Sequence, residues 1–256
     1  MAPAVQSGLL PPLLVRVLLE QYPLDVRRRW SDRIEQYDEA VMCSAVIYRN
    51  EMHRAKSAKE LRELPVDVEY VHIPRWEGPA KVDVRELERF PILSSLDLGE
   101  HGIGDEGARS LAELSCLRSL TLLNLRLNLI GDEGARALAE SSCLRSLTSL
   151  HLGGNGIGAE GVRALAESSC LRALTSLDLF GNQIGDEGAQ SLAESSCLRS
   201  LTSLDLFGNQ IGDKGAQSFA ESSCLRSLTS LDLRLNDIGD EGMRALAELR
   251  GLRIMR

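Results

Sequence analysis

The sequence predicts an α/β fold: a right-handed β-α solenoid with a parallel inner sheet, preceded by a small helical N-terminal region. Three observations carry that expectation. First, Cys116, Cys143, Cys170, Cys197 and Cys224 stand 27 residues apart. Second, they are one column of a unit that reads LRSLTSLDLFGNQIGDKGAQSFAESSC from Leu198 to Cys224, and six copies begin near Phe90, Leu117, Leu144, Leu171, Leu198 and Leu225. Third, each copy opens with alternating leucines and closes with a helix-like Gly-Asp-x-Gly-Ala-x-x-Leu-Ala stretch. A fixed period of this length marks an architecture in which each unit buries its apolar face against its neighbours.

In chain order, Pro11 and Pro12 suit a helix start, and apolar residues at mixed spacings of 3 and 4 then predict helices through about residue 64. Cys43 falls in this stretch and is expected in its core. Residues 1–65 are thus read as an N-terminal helical region and 66–256 as the solenoid. Val68 to Ile73 alternates like a strand and Val82 to Phe90 returns to a helical pattern, so residues 66–90 are expected to form a degenerate capping repeat. Within each regular copy, exemplified by Leu120, Leu123 and Leu125, the leucines point inward from a short strand. Gly131 permits a sharp turn and Asp132 is expected to cap the helix that follows. Ala135, Leu138 and Ala139 share one face of that helix. A seventh copy starts at Leu252 and stops at Arg256, before its strand is expected to be complete. That leaves either exposed terminal leucines or a fragmentary chain.

Within each copy lies Leu201-x-x-Leu204-x-Leu206-x-x-Asn209-x-Ile211 or its equivalent. This pattern resembles the leucine-rich-repeat signature. The second half, as in Gly134-Ala135-Arg136-Ala137-Leu138-Ala139, resembles the long-repeat, ribonuclease-inhibitor-like class and its bacterial GALA variety most closely. The resemblance implies a horseshoe whose concave sheet face binds proteins. GALA-type proteins of plant-associated bacteria can carry an N-terminal F-box that docks a ubiquitin-ligase core while the repeats select a target. Leu10-Pro11-Pro12 with Leu14, Val17, Leu18, Asp25 and Trp30 resembles that motif, although Leu13 stands where an acidic residue is usual. The alternative function is therefore a ligase substrate adaptor, a secreted effector acting in a host cytosol.

Composition narrows the partner. The net charge is −8, and residues 91–256 hold 22 acidic against 15 basic side chains. Nucleic acid and anionic membrane surfaces are therefore not expected partners, and a basic protein is permitted. No apolar run reaches the length of a membrane span. Cysteines without close partners predict free thiols in a reducing, cytoplasmic setting. A monomer is expected.

No catalytic constellation is legible. There are four histidines (His53, His72, His101, His151), no phosphate-binding glycine loop and no metal-ligand spacing, so no enzyme activity, cofactor or metal is expected. The cysteine column offers no Cys-x-x-Cys pair for zinc and reads as stacked small hydrophobes. Asn128, Asn155, Asn182, Asn209 and Asn236 form a second column, expected to bond backbone groups left open by the turn; His101 replaces it in the first copy. Ala159 stands where other copies have the capping Asp, predicting a helix start weaker by ~1 kcal/mol.

The variable strand positions remain. One outward row is Asp97, Asn124, His151, Asp178, Asp205 and Asp232; the next is Gly99, Arg126, Gly153, Phe180, Phe207 and Arg234. The candidate partner-binding residues are Arg126, His151, Asp178, Phe180, Asp205, Phe207, Asp232 and Arg234, since aromatic residues dominate interface hot spots. The fourth and fifth copies differ at only three of 27 positions (Ala173/Ser200, Glu187/Lys214, Leu192/Phe219), which points to recent duplication.

Overall fold

The structure, a computed structural model, describes residues 53–54, 70–72, 84–249 and 252–255. The expected N-terminal helices, Cys43 and the F-box-like motif lie outside the described residues. Nine parallel strands form one sheet in sequence order: β1 (His53–Arg54), β2 (Tyr70–His72), β3 (Ser95–Asp97), β4 (Leu122–Asn124), β5 (Ser149–His151), β6 (Ser176–Asp178), β7 (Ser203–Asp205), β8 (Ser230–Asp232) and β9 (Arg253–Met255). Six helices alternate with the later strands: α1 (Gly104–Glu113), α2 (Asp132–Glu140), α3 (Ala159–Glu167), α4 (Gly185–Ala193), α5 (Asp213–Glu221) and α6 (Asp240–Ala247). The six regular copies are called coils one to six. Between β2 and β3 a 3-10 helix, Val84–Arg89, stands where an α-helix would in a regular coil.

Two local expectations are corrected. His53–Arg54 is a strand inside a stretch read as helical, because pairing with Val71 and His72 gives its backbone a parallel ladder. Arg253–Met255 completes a strand against Ser230–Asp232, so the seventh copy does not stop short of one.

The 27-residue period sets the sheet register without slippage: Leu96, Leu123, Leu150, Leu177, Leu204, Leu231 and Ile254 stand side by side. The six leucines of that row are at most 1 % exposed, as are Leu98, Leu125, Leu152, Leu179 and Leu206 in the row beside it. Slippage by one residue would turn both rows out to solvent. The cysteine column lies at the edge of this core, with Cys116, Cys143 and Cys170 buried and Cys197 and Cys224 half-buried.

Polar side chains tie each coil to the next. Asn155 Oδ1 accepts from Asn128 N (2.8 Å) and Ile130 N (3.2 Å), and its amide donates to Leu125 O and Leu152 O, both at 2.9 Å. Thr148 Oγ1 donates to Thr121 O (3.0 Å), and Thr121, Thr175, Thr202 and Thr229 repeat that bond. Ser141 Oγ donates to Ala112 O, a carbonyl in the last turn of the preceding helix, at 2.6 Å. Ser168, Ser195 and Ser222 make the equivalent bond.

The Asp column does not do what its local sequence suggests. Asp132 is the first helical residue of α2, Gly131 is its N-cap, and no side chain caps within the motif. Instead the Asp132 carboxylate accepts Gly158 N (2.7 Å) and Gly161 N (3.0 Å) at the start of α3, one coil on. Asp105, Asp186 and Asp213 likewise cap α2, α5 and α6. The glycine inside each motif makes room for this visitor. A Cβ on Gly134 would lie 2.7 Å from Asp105 Oδ1.

The consequence of Ala159 therefore falls on the next helix. The start of α3 is capped by Asp132, and it is α4 that loses its cap. The helices reached by an Asp have an N-cap glycine with φ between −89° and −101°. Gly185 of α4 instead turns to φ +59°, and Gly104 of α1, which no Asp column precedes, to φ +67°. Only glycine enters that region without strain. Coil four differs further in that Asn209 Oδ1, the acceptor facing it, is buried and takes no hydrogen bond, whereas Asn128 Oδ1 facing coil one keeps His101 N and Ile103 N.

Ala159→Asp should restore the cap and raise the unfolding free energy by ~1 kcal/mol in urea titration; a loss of stability would contradict the assignment. Asn155→Ala should cost roughly 2–4 kcal/mol, since it orphans several buried groups. By the same measurement Asn209→Ala should cost less, because its Oδ1 is already unpartnered.

Candidate functional site

Every outward strand side chain stands beside its equivalents in adjacent coils, so a column is an array at inter-strand spacing, about 4.8 Å. In the Asp178 column, Asp97, Asn124, His151, Asp178, Asp205 and Asp232 are successive neighbours. Like charges at that distance repel, and the neighbouring column supplies cations at two places.

At the first, Arg126 reaches across two coils to Asp178, with Nε 2.6 Å from Oδ2 and a second bond from Nη2. Its guanidinium also lies 5.6 Å from the centroid of the Phe180 ring, in cation–π range. Coil three makes this reach possible because Gly153 occupies the intervening position. A Cβ there would sit 2.0 Å from Phe180 Cδ1, so the ring fills the space a side chain would take. At the second, Arg234 binds Asp232 in its own coil through Nη2–Oδ2 (2.6 Å) and Nε–Oδ1 (3.0 Å). Its guanidinium lies 5.7 Å from the Phe207 ring centroid.

Between these clusters stands Asp205. Its Oδ1 accepts Phe207 N at 3.0 Å, but among the described residues no cation pairs with it. Burial raises its carboxyl above the ordinary range and the charges of Asp178 and Asp232 add to this, against the Phe207 N–H and the more distant charge of Arg126. The group is held at a cost that an incoming cation would relieve.

His151 is half-buried with Nε2 2.9 Å from Ser149 Oγ and Nδ1 3.9 Å from Asp178 Oδ2. Burial lowers its pKa and the Arg126 charge lowers it further, against Asp178 and Asp97. The ring is therefore a neutral hydrogen-bonding group at pH 7, and Arg126 is the cation that serves Asp178.

The structure thus brings Arg126, His151, Asp178 and Phe180 into one cluster and Phe207, Asp232 and Arg234 into another, with Asp205 between them. Sequence reading missed Gly153, whose vacancy admits the Phe180 ring; a glycine in the column of Phe180 and Phe207 was the available signal. It also missed the apolar rim. Leu127 and Leu235 follow the two arginines, 48 % and 75 % exposed, with Leu129 at 76 %. All three hold positive φ (56°, 52° and 59°), an unusual conformation for leucine.

The cysteine column offers no comparable chemistry. Burial, with the charge of Glu88 adding to it, pushes the Cys116 thiol up to about 11, which keeps it protonated and unreactive. Cys197 Sγ donates to Glu167 O at 3.5 Å. Among the described residues no group of three His, Cys, Asp or Glu side chains could hold a metal ion. Among them, too, no helix is long and apolar enough to cross a membrane.

The Leucine Rich repeat family profile matches this sequence six times, at residues 91–112, 116–139, 143–166, 171–193, 197–220 and 224–247, more than half of the chain. The chain belongs to the leucine-rich-repeat family. Among solved structures, this leucine-rich-repeat protein is similar to the crystal structure of an internalin (inlF) from Listeria monocytogenes, with a TM-score of 0.51 and 24% sequence identity. The match covers 79% of this chain and 58% of the internalin chain, so the protein spans little more than half the length of that relative. At that identity the likeness shows the fold alone. No curated protein matches the sequence. Leucine-rich repeats are typically non-catalytic protein-interaction modules.

The lowered pKa of His151 has a signed consequence. Its folded value lies below the unfolded 6.5, so the native state binds fewer protons near that pH. The contribution is complete above about pH 6.5 and is lost as pH falls below it. Urea titrations between pH 7 and pH 5 should therefore show a steeper loss of stability for the wild type than for His151→Asn. Parallel profiles would mean that His151 titrates as it does in the unfolded chain.

Proposed function

We propose that the open sheet face of coils two to six binds a basic protein partner, with Phe180 and Phe207 as apolar anchors and Asp205 as the acceptor for a Lys or Arg side chain. The observation that carries this reading is Asp205, which among the described residues forms no ion pair, although its neighbours Asp178 and Asp232 are each bound by an arginine. Two aromatic rings beside it supply large, rigid contact area, the kind that concentrates binding energy at interfaces. Leu127 and Leu235 extend that area at either end. Charge complementarity of this sort contributes mainly to specificity and association rate. The acidic excess of residues 91–256 favours the same partner chemistry and disfavours nucleic acid.

Two finer readings rest on sequence. The Gly-Ala-x-x-Leu-Ala stretches favour the GALA variety of long repeats, and the column of free thiols favours a reducing cytosol. The adaptor alternative depends on Leu10-Pro11-Pro12, outside the described residues, and no structural observation favours it.

Affinity capture from a native lysate tests the proposal, comparing the intact wild-type chain with Phe180→Ala/Phe207→Ala and with Asp205→Asn. Both variants should recover the wild-type partner at least ~10-fold less well, consistent with losing hot-spot contacts. Asp205→Asn should remain at least as stable as the wild type in urea, since it removes a carboxylate that burial and like charges disfavour. Equal recovery by all three proteins would place the interface elsewhere.

A further inference from the structure

Coils four and five are nearly the same sequence in two different conformations. Ile184-Gly185-Asp186-Glu187-Gly188 and Ile211-Gly212-Asp213-Lys214-Gly215 differ only at Glu187/Lys214. Yet Ile184 is helical at φ −70°, ψ −42°, and Gly185 stands at φ +59°, whereas Gly212 is extended at φ −101°, ψ −162°. Local sequence does not account for this, because a solvent-directed Glu-to-Lys exchange leaves both glycines in place. The preceding coil does account for it: Asp186 reaches Gly212 N and Gly215 N, both at 2.8 Å, while Ala159 has nothing to offer Gly185 or Gly188.

A second side-chain acceptor is lost on the other side of the coil. Ile211 N and Asn209 N both donate to Asn236 Oδ1, at 3.0 and 2.9 Å. The equivalent acceptor for coil four, Asn209 Oδ1, is buried and unpartnered. Backbone acceptors take over the freed donors: Gly185 N bonds Asn209 O at 2.9 Å, as Gly104 N bonds Asn128 O in coil one, and Gly188 N bonds Ile184 O at 3.2 Å, while Gln183 N reaches Ile157 O at 2.9 Å beside an isolated bridge between Gly158 and Gln183. What coil four lacks is the two side-chain acceptors of coil five, the Asp carboxylate at its helix start and the Asn Oδ1 that would take Asn182 N and Ile184 N. The ladder and leucine core run through it unbroken.

We infer that coil four opens before its neighbours, coils three and five, and that Ala159 in the preceding coil sets this weakness. The opening is local: the helix start and its loop release while the strand stays in the sheet. Arg126 reinforces the opposite face by joining coil two to coil four through Asp178 and Phe180, so the release is directed to the helix side. The inference rests on backbone geometry and hydrogen bonding, independently of any partner at the sheet face.

Native-state hydrogen exchange by NMR on the intact chain tests it, with coil five as the internal control. In the wild type, the amides of Asn182 and Ile184 should exchange at least ~10-fold faster than those of Asn209 and Ile211, which keep the Asn236 Oδ1 acceptor. Ala159→Asp should bring the two sets together, and Asp186→Ala should transfer fast exchange to coil five. Equal protection of the two coils in the wild type would overturn the inference. So would fast exchange in coil four that survives Ala159→Asp in a folded protein.

Discussion

The rest of this structure depends on one constraint: no coil can satisfy the ends of its own helix. A helix of eight to ten residues leaves four N–H groups at one end and four carbonyls at the other without internal partners, up to about half of its backbone polar groups. Such a helix is also too short to be stable alone. In α2, α3, α5 and α6 the N-terminal donors are met by an Asp from the coil before, and in α1 to α4 a C-terminal carbonyl is met by a Ser from the coil after. Asn and Thr side chains join the strand side in the same way. Burial of leucine supplies the driving force for stacking, but these directional bonds fix the register in which the leucines meet.

The candidate site is a product of that register. Because each coil advances the sheet by one strand, side chains far apart in sequence become near neighbours, and their chemistry is set by company rather than identity. Asp178, Asp205 and Asp232 carry the same local sequence, Ser-Leu-Asp-Leu. One is bound by an arginine from two coils away, one by an arginine in its own coil, and one by neither. The raised pKa of Asp205 follows from its burial between two other carboxylates. Phe180 and Phe207 are duplicates in the same sense: one covers a glycine in the coil before it, and the other follows a second phenylalanine.

Much of the fold was legible in the sequence because periodicity and core placement are local properties repeated six times. Leu123 and Leu125 could be assigned inward from alternation alone, and Asn128 could be recognised as a turn-bonding residue. What could not be read were relations between coils. Asp132 stands where a capping residue should, so local logic assigned it to its own helix; only the stacked structure shows the carboxylate turned toward Gly158 and Gly161. The same offset displaced the effect of Ala159 by 27 residues. At the site, the outward rows were identifiable from strand alternation. The Arg126–Asp178 pair was not, because side-chain reach across a glycine has no signature in either coil taken alone.

The offset also means that the unit of sequence and the unit of stability are out of phase. Written from leucine to cysteine, a coil looks like a self-contained brick. Physically its acidic cap belongs to the helix that follows and its serine to the helix that came before. Duplication, recombination or splicing at a leucine–cysteine boundary therefore never moves a helix with its own fastenings. Each newly arrived coil takes its conformation from the host it lands beside, and a junction that looks seamless in the alignment of copies can still leave a glycine turned the other way.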